Sequence, residues 1–113
     1  MKAAATAATV IVSGGGDELA DAVRDASDGT SNDPTVIEVT DSSTYTKRVK
    51  VRDKSNITIQ AADGETPVMH VPIGDAAFRV RESSNITITG FTITQGDYGV
   101  RARQAPGVKI LDN

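Results

Sequence analysis

Seven cationic side chains alternate with apolar ones in three short stretches of this 113-residue chain. Arg48, Lys50 and Arg52 flank Val49 and Val51, Arg79 and Arg81 flank Val80, and Arg101 and Arg103 follow Val100. Successive side chains of an extended strand point to opposite faces, so Val49, Val51, Phe78, Val80, Tyr98 and Val100 are expected to turn inward and all seven cations outward. Guanidinium groups carry paired donors that match carboxylate and sulfate oxygens, and a row of them suits a polymer bearing such groups at intervals. The seven are therefore the expected ligand-binding residues. The competing reading is a solvated basic face neutralised by Glu38, Asp53 and Glu82.

The other chemistry-bearing residues form no constellation. His70, the one histidine, lies between Met69 and Val71 in an inserted segment, without a nucleophile and carboxylate spaced to support it, and reads as a loop or packing residue. Asp63, Glu65, Asp75, Glu82 and Asp97 stand beside Gly, Ser or Pro and read as turn formers rather than an acid–base pair. Asp17, Asp21, Asp25 and Asp28 fall at helical spacing, which spreads them along a solvated face instead of gathering them around calcium. Gly14, Gly15 and Gly16 fit neither phosphate-loop pattern, and Asp17 with Glu18 would repel phosphate. With no cysteine, thiolate metal sites, disulfides and thiol nucleophiles are excluded. No catalytic residue, metal site or cofactor is expected.

The elements that must position the basic rows are short. Leu19, Ala22, Val23 and Ala26 mark one amphipathic helix, with Asp17 placed to cap its start and Gly29 to end it. Val10, Ile11 and Val12 read as a strand before it. From Pro34 onward strand patterns recur at TVIEVT, RVKVR, NITIQ, FRVR, NITIT, FTIT, YGVRAR and VKIL, with no second helix. The sequence VRDKSNITIQ at 51–60 returns as VRESSNITIT at 80–89, which aligns Val51 with Val80. A looser copy, VRARQAPGVKIL, opens at Val100 and aligns that residue with Val80 in turn, with Val108 and Ile110 in place of the paired isoleucines. The longer first interval is assigned to a loop, ADGETPVMHVPIGD.

Repeats this short cannot bury an apolar face alone and must stack. Stacking as aligned places Ile57 against Ile86, Val51 against Val80 and Val100, and Arg52, Arg81 and Arg101 in one ladder. A β-sandwich would alternate its strands similarly but does not require identity at a repeat interval. The expected fold is all-β: a short right-handed parallel β-helix of about three coils with an N-terminal capping α-helix. One domain over 1–113 is expected, divided into strand and capping helix at 8–33 and coils at 34–113. Asn56-Ile57-Thr58 and Asn85-Ile86-Thr87 match the glycosylation pattern, but their equivalent repeat positions favour a stacked asparagine ladder.

Charge divides the same way. Residues 17–45 carry net −7 and residues 46–113 net +3, an acidic cap on basic coils, within an overall −3. That balance, and aromatics at 4% with no Trp, argue against nucleic-acid binding and for a core of Val, Ile and Ala. No apolar run approaches the ~20 residues of a membrane span. The first residues, MKAAATAA, are only weakly apolar for a signal peptide.

The order of strand, amphipathic helix ending in SDG, then PTVIEVTDSSTYT, RVKV, SNITIQAADGETPVM and SSNITITGFTITQGDYGV resembles the N-terminal part of right-handed parallel β-helix proteins of the pectate-lyase-like class. The resemblance implies that the helix caps the solenoid, that Thr44, Tyr45 and Thr46 lead into the first full coils, and that an acidic polysaccharide lies along stacked strands. It also implies an extracellular or cell-surface setting. The class includes lyases, hydrolases, epimerases, phage tailspikes and adhesins, and in its lyases calcium-binding acids and a catalytic Lys or Arg lie on later coils, so no activity of this chain alone is expected. Because the sequence stops at Leu111, Asp112 and Asn113 within a repeat, the expectation is a fragment of a longer solenoid or a chain that self-associates through its C-terminal coil.

Overall fold

Strands of two to seven residues with one apolar edge gain little alone, and here they gain it by winding into stacked turns. The computed structural model describes residues 9–30, 33–71, 76–94 and 98–111. The chain runs β1 (Thr9–Val12), α1 (Glu18–Asp25), β2 (Thr35–Val39), β3 (Thr44–Tyr45), β4 (Val49–Arg52), β5 (Ser55–Ala61), β6 (Val68–His70), β7 (Ala76–Arg81), β8 (Ser84–Thr89), β9 (Thr92–Thr94), β10 (Tyr98–Arg103) and β11 (Lys109–Leu111). Three sheets result, ordered β1-β2-β5-β8-β11, β4-β7-β10 and β3-β6-β9. Every pairing in them is parallel. This is the expected helix-bearing β-solenoid, but of about four turns rather than three. The weakly apolar first eight residues lie outside the described part.

The inward edges stack into continuous apolar columns. Ile37, Ile59 and Ile88 face one another in register, as do Ile57 and Ile86, and all five are fully buried. Burying each such side chain contributes about 1.5–3 kcal/mol. The interior also takes more ring than the composition suggested, since Tyr45, Phe78 and Phe91 are its largest fully buried side chains. Phe78 and Phe91 meet edge to face with centroids 5.1 Å apart. Val80 and Val51 pair as expected.

The cap forms through contacts that local sequence does not announce. Leu19, Ala20 and Val23 bury one face of α1, packed chiefly on β4. Asp17 makes no side-chain cap, and the helix stops at Asp25 with Ala26 already extended, three residues before Gly29. The ammonium of Lys54, a full turn later, donates to the carbonyls of Arg24 (3.2 Å) and Ala26 (2.7 Å), satisfying the helix C-terminus. Gly29 serves a crossing instead: a Cβ there would overlap the backbone nitrogen of Thr35.

The inserted segment is more than a loop. It carries β6, which lies between β3 and β9 and so belongs to the winding; residues 72–75 are outside the described part. The third repeat is also in a different register. Val100 lies opposite Phe78 and Ala102 opposite Val80, two positions away from the literal match of Val100 to Val80. The strand beyond the corner keeps this register, with Ile110 opposite Ile88.

Candidate functional site

The two-residue difference in register decides which cations meet. Lys50, Arg79 and Arg101 form one row across β4, β7 and β10, and Arg52, Arg81 and Arg103 form the next. The second row therefore ends in Arg103, not Arg101. Neighbouring strands sit about 4.8 Å apart, so six cations occupy a patch two rows wide and three strands deep. Val49, Val51, Phe78 and Val80 beneath them are fully buried and fix the outward side. Val100 is partly buried against the core, and the side chain of Tyr98 lies outside the described part. Arg48, expected with these residues, is not among them. It precedes β4 and lines an opening of about 280 Å³ between α1 and β4, beside Ala20, Arg24 and Lys47.

Partners within the patch are few. Arg52 reaches Glu82 at 3.4 Å and Asp53 at 3.9 Å. Lys50, Arg79, Arg81 and Arg103 make no ion pair among the described residues. The Nε of Arg81 is buried without a hydrogen-bond partner, an arrangement that costs about 1–3 kcal/mol where it persists. Like charges directly opposite on neighbouring strands add a further cost of a few tenths to about 1 kcal/mol. Glu38 does not offset it. That residue lies on β2 in a different sheet, where its carboxylate accepts a hydrogen bond from Gln60 at 3.3 Å.

The patch is indented unevenly. Lys50, Val51, Arg52, Arg79 and Arg81 line a cleft of about 140 Å³ between β4 and β7. Between β7 and β10 the corresponding gap, lined by Arg79, Val80, Arg81, Arg101 and Arg103, is only about 20 Å³. The smaller gap has room for about one water, the larger for a polyatomic anion.

Other residues singled out by type resolve into structure. His70 lies on strand β6 rather than in a loop, exposed, with its Nδ1 3.0 Å from Thr94 Oγ1 on the next turn. Glu65 accepts from Ser42 Oγ at 2.7 Å, and Asp63 stays in the exposed turn before it. Asp75 and Asp97 fall outside the described residues. Asp21 and Asp25 pair with Arg24, and Asp21 also reaches Lys47 at 3.6 Å, so the acidic helix face is tied to the coil beside it. Among the described residues no group of three or more His, Cys, Asp or Glu could hold a metal ion, and no helix is long and apolar enough to cross a membrane.

Asn56 and Asn85 form the expected ladder. Asn85 donates to Asn56 Oδ1 at 3.2 Å, and Asn56 donates to the carbonyl of Gly29 at 3.3 Å. Both take positive φ, 59° and 56°, a conformation asparagine tolerates better than most residues. Gly107 holds the equivalent place on the next turn, at φ 77°; a Cβ there would meet Asn85 Oδ1 at 2.5 Å.

One polar cluster had no signal in residue type or spacing. Asp41 accepts the N–H of Gly14, the hydroxyl of Ser43 and the phenol of Tyr45, each at 2.8 Å. The Gly14 N–H above all holds the Asp41 carboxyl below the usual carboxylate range, against the opposing effect of desolvation. Burial, then the hydrogen bond to Asp41, pushes the Tyr45 phenol up to about 12. The cluster binds the strand–helix connection to the first full turn. Comparison with known protein families, curated proteins and solved structures found no match to this chain.

Proposed function

We propose that this chain is the capped end of a carbohydrate-active parallel β-helix of the pectate-lyase-like class, and that it binds an acidic polysaccharide along the basic rows of β4, β7 and β10. One observation carries the reading: six cations stack in register on one sheet, and four of them have no counterion among the described residues. Stability alone disfavours such stacking, whereas a polymer with an oxyanion on successive units would neutralise one rung after another. Arginine predominates over lysine in the rows, which suits paired donation to planar carboxylates and to sulfates. The resemblance in the strand and turn segments supports the class. No catalytic role is assigned to any residue.

A titration of polygalacturonate into the protein tests this. Binding is expected at about 0.05 M salt and should weaken steeply towards about 0.5 M, as exposed charges become screened. Dextran, a neutral polymer, should not bind. Arg79→Ala with Arg81→Ala should reduce affinity by about tenfold or more. Salt-insensitive binding, or binding unchanged in the double variant, overturns the reading.

A second reading, self-association without a ligand, rests on the last described turn. Ile110 and Leu111 are 42% and 49% exposed there, and Ile93, Val100 and Ile110 border an opening of about 570 Å³. A second copy seated on this surface would cover it. Light scattering across a concentration series decides the matter: a mass that rises with concentration favours this reading, and a constant monomer mass overturns it.

A further inference from the structure

We propose that the cleft between β4 and β7 is the primary oxyanion subsite of the basic sheet, with Arg79 and Arg81 as its ligands and the β10 arginines as flanking charge. The inference rests on the polysaccharide reading above and assigns unequal roles to rungs that look equivalent in sequence. Space supplies the first reason. The β4–β7 cleft holds about 140 Å³ and the β7–β10 gap about 20 Å³, so a carboxylate or sulfate group enters only the former. Freedom to reorient is the second. Arg52 is drawn to the corner by Glu82 at 3.4 Å and Asp53 at 3.9 Å, which fixes its head on one side of the cleft. Arg79 and Arg81 have no such tie among the described residues, and the covered Nε of Arg81 gives up no hydrogen bond when its guanidinium swings to meet an anion.

The oxyanion could be a uronate carboxylate or a sugar sulfate ester, and two probes separate them. Glucuronate and glucose 6-sulfate are titrated at fixed ionic strength into the ¹⁵N-labelled full chain, with glucose as control, following the arginine Nε–Hε signals. Saturable shifts of Arg79 and Arg81, without a shift of Arg103, are expected from at least one anionic sugar, and the responding sugar identifies the source. Arg81→Lys keeps the charge but loses the fork and should weaken monosaccharide binding about tenfold, while Arg103→Lys changes it by less than about twofold. Unsaturable drift of all arginines together, or equal losses in the two variants, overturns the subsite. A parallel polygalacturonate titration separates the two failures. Salt-sensitive polymer binding without a saturable monosaccharide response removes the subsite alone, and a monosaccharide response without polymer binding removes the polysaccharide reading alone.

Discussion

At the corner leading into β5 and β8, Asn56 and Asn85 stack and hydrogen-bond to each other, whereas Arg52, Arg81 and Arg103, at the strand ends just before the corners, stack without that option. An amide has both a donor and an acceptor, so a row of amides satisfies itself. A guanidinium has donors only, so a row of them cannot satisfy itself. The corner row bonds within the protein, whereas Lys50, Arg79, Arg81 and Arg103 of the basic rows have no counterion among the described residues. Repetition is thus evidence about function only when the repeated group cannot serve its own neighbour.

The largest expected effect breaks the self-satisfied row at its anchor. Gly29→Ala forces a Cβ into the backbone of Pro34 and Thr35 and displaces the carbonyl that accepts from Asn56. A loss on the order of 3 kcal/mol is expected in urea denaturation, and an unchanged midpoint would separate the ladder from stability. Asn85→Ala comes next. It removes the side-chain hydrogen bond to Asn56 and leaves an alanine at φ 56°, for a cost of about 1–2 kcal/mol by the same measurement.

The Asp41 cluster extends the comparison to pH, because its groups are also satisfied internally. With its folded value held low, Asp41 contributes stability that is complete above the usual carboxylate range and lost as pH falls through that lowered value. Tyr45 has the opposite sense: its contribution is complete below about pH 10, the ordinary phenol value. It is lost as pH rises towards the folded value of about 12. Denaturation midpoints across pH should therefore flatten at the acid end in Asp41→Asn and at the alkaline end in Tyr45→Phe. The smallest effect belongs to the basic rows. Arg103→Ala should leave stability within about 0.5 kcal/mol, or raise it slightly at low salt as a like charge is removed. A loss above about 1 kcal/mol would mean that the row is structural after all.

Much of the winding was legible because Ile57, Ile59, Ile86 and Ile88 repeat at a fixed distance from a positive-φ asparagine. In the third turn the literal match of Val100-Arg101 to Val80-Arg81 points to a register two residues from the one adopted. A better ruler was present: Arg52 precedes Ile57 by five residues, Arg81 precedes Ile86 by five, and Arg103, not Arg101, precedes Val108 by five. The corner has fixed geometry, so spacing across it outweighs the identity of two residues. Strand β6 was hidden because Val68–His70 offers only three residues between turn formers, too few for alternation to show. Helix capping failed for another reason. The acidic residue at Asp17 met the local rule, but the C-terminal carbonyls were met by Lys54, which only the winding brings near.

The order of residues alone was enough to require that strands stack, to assign the inward side of each and to line one outer face with cations. Alternation and repetition are local, and a chain carries them wherever it goes. Which cations became neighbours, which of them a carboxylate restrained and where the face opened into a cleft were left to the folded winding. Those outcomes depend on register between strands that are distant in the chain, and in a strand a shift of two residues preserves every inward side chain while exchanging every partner.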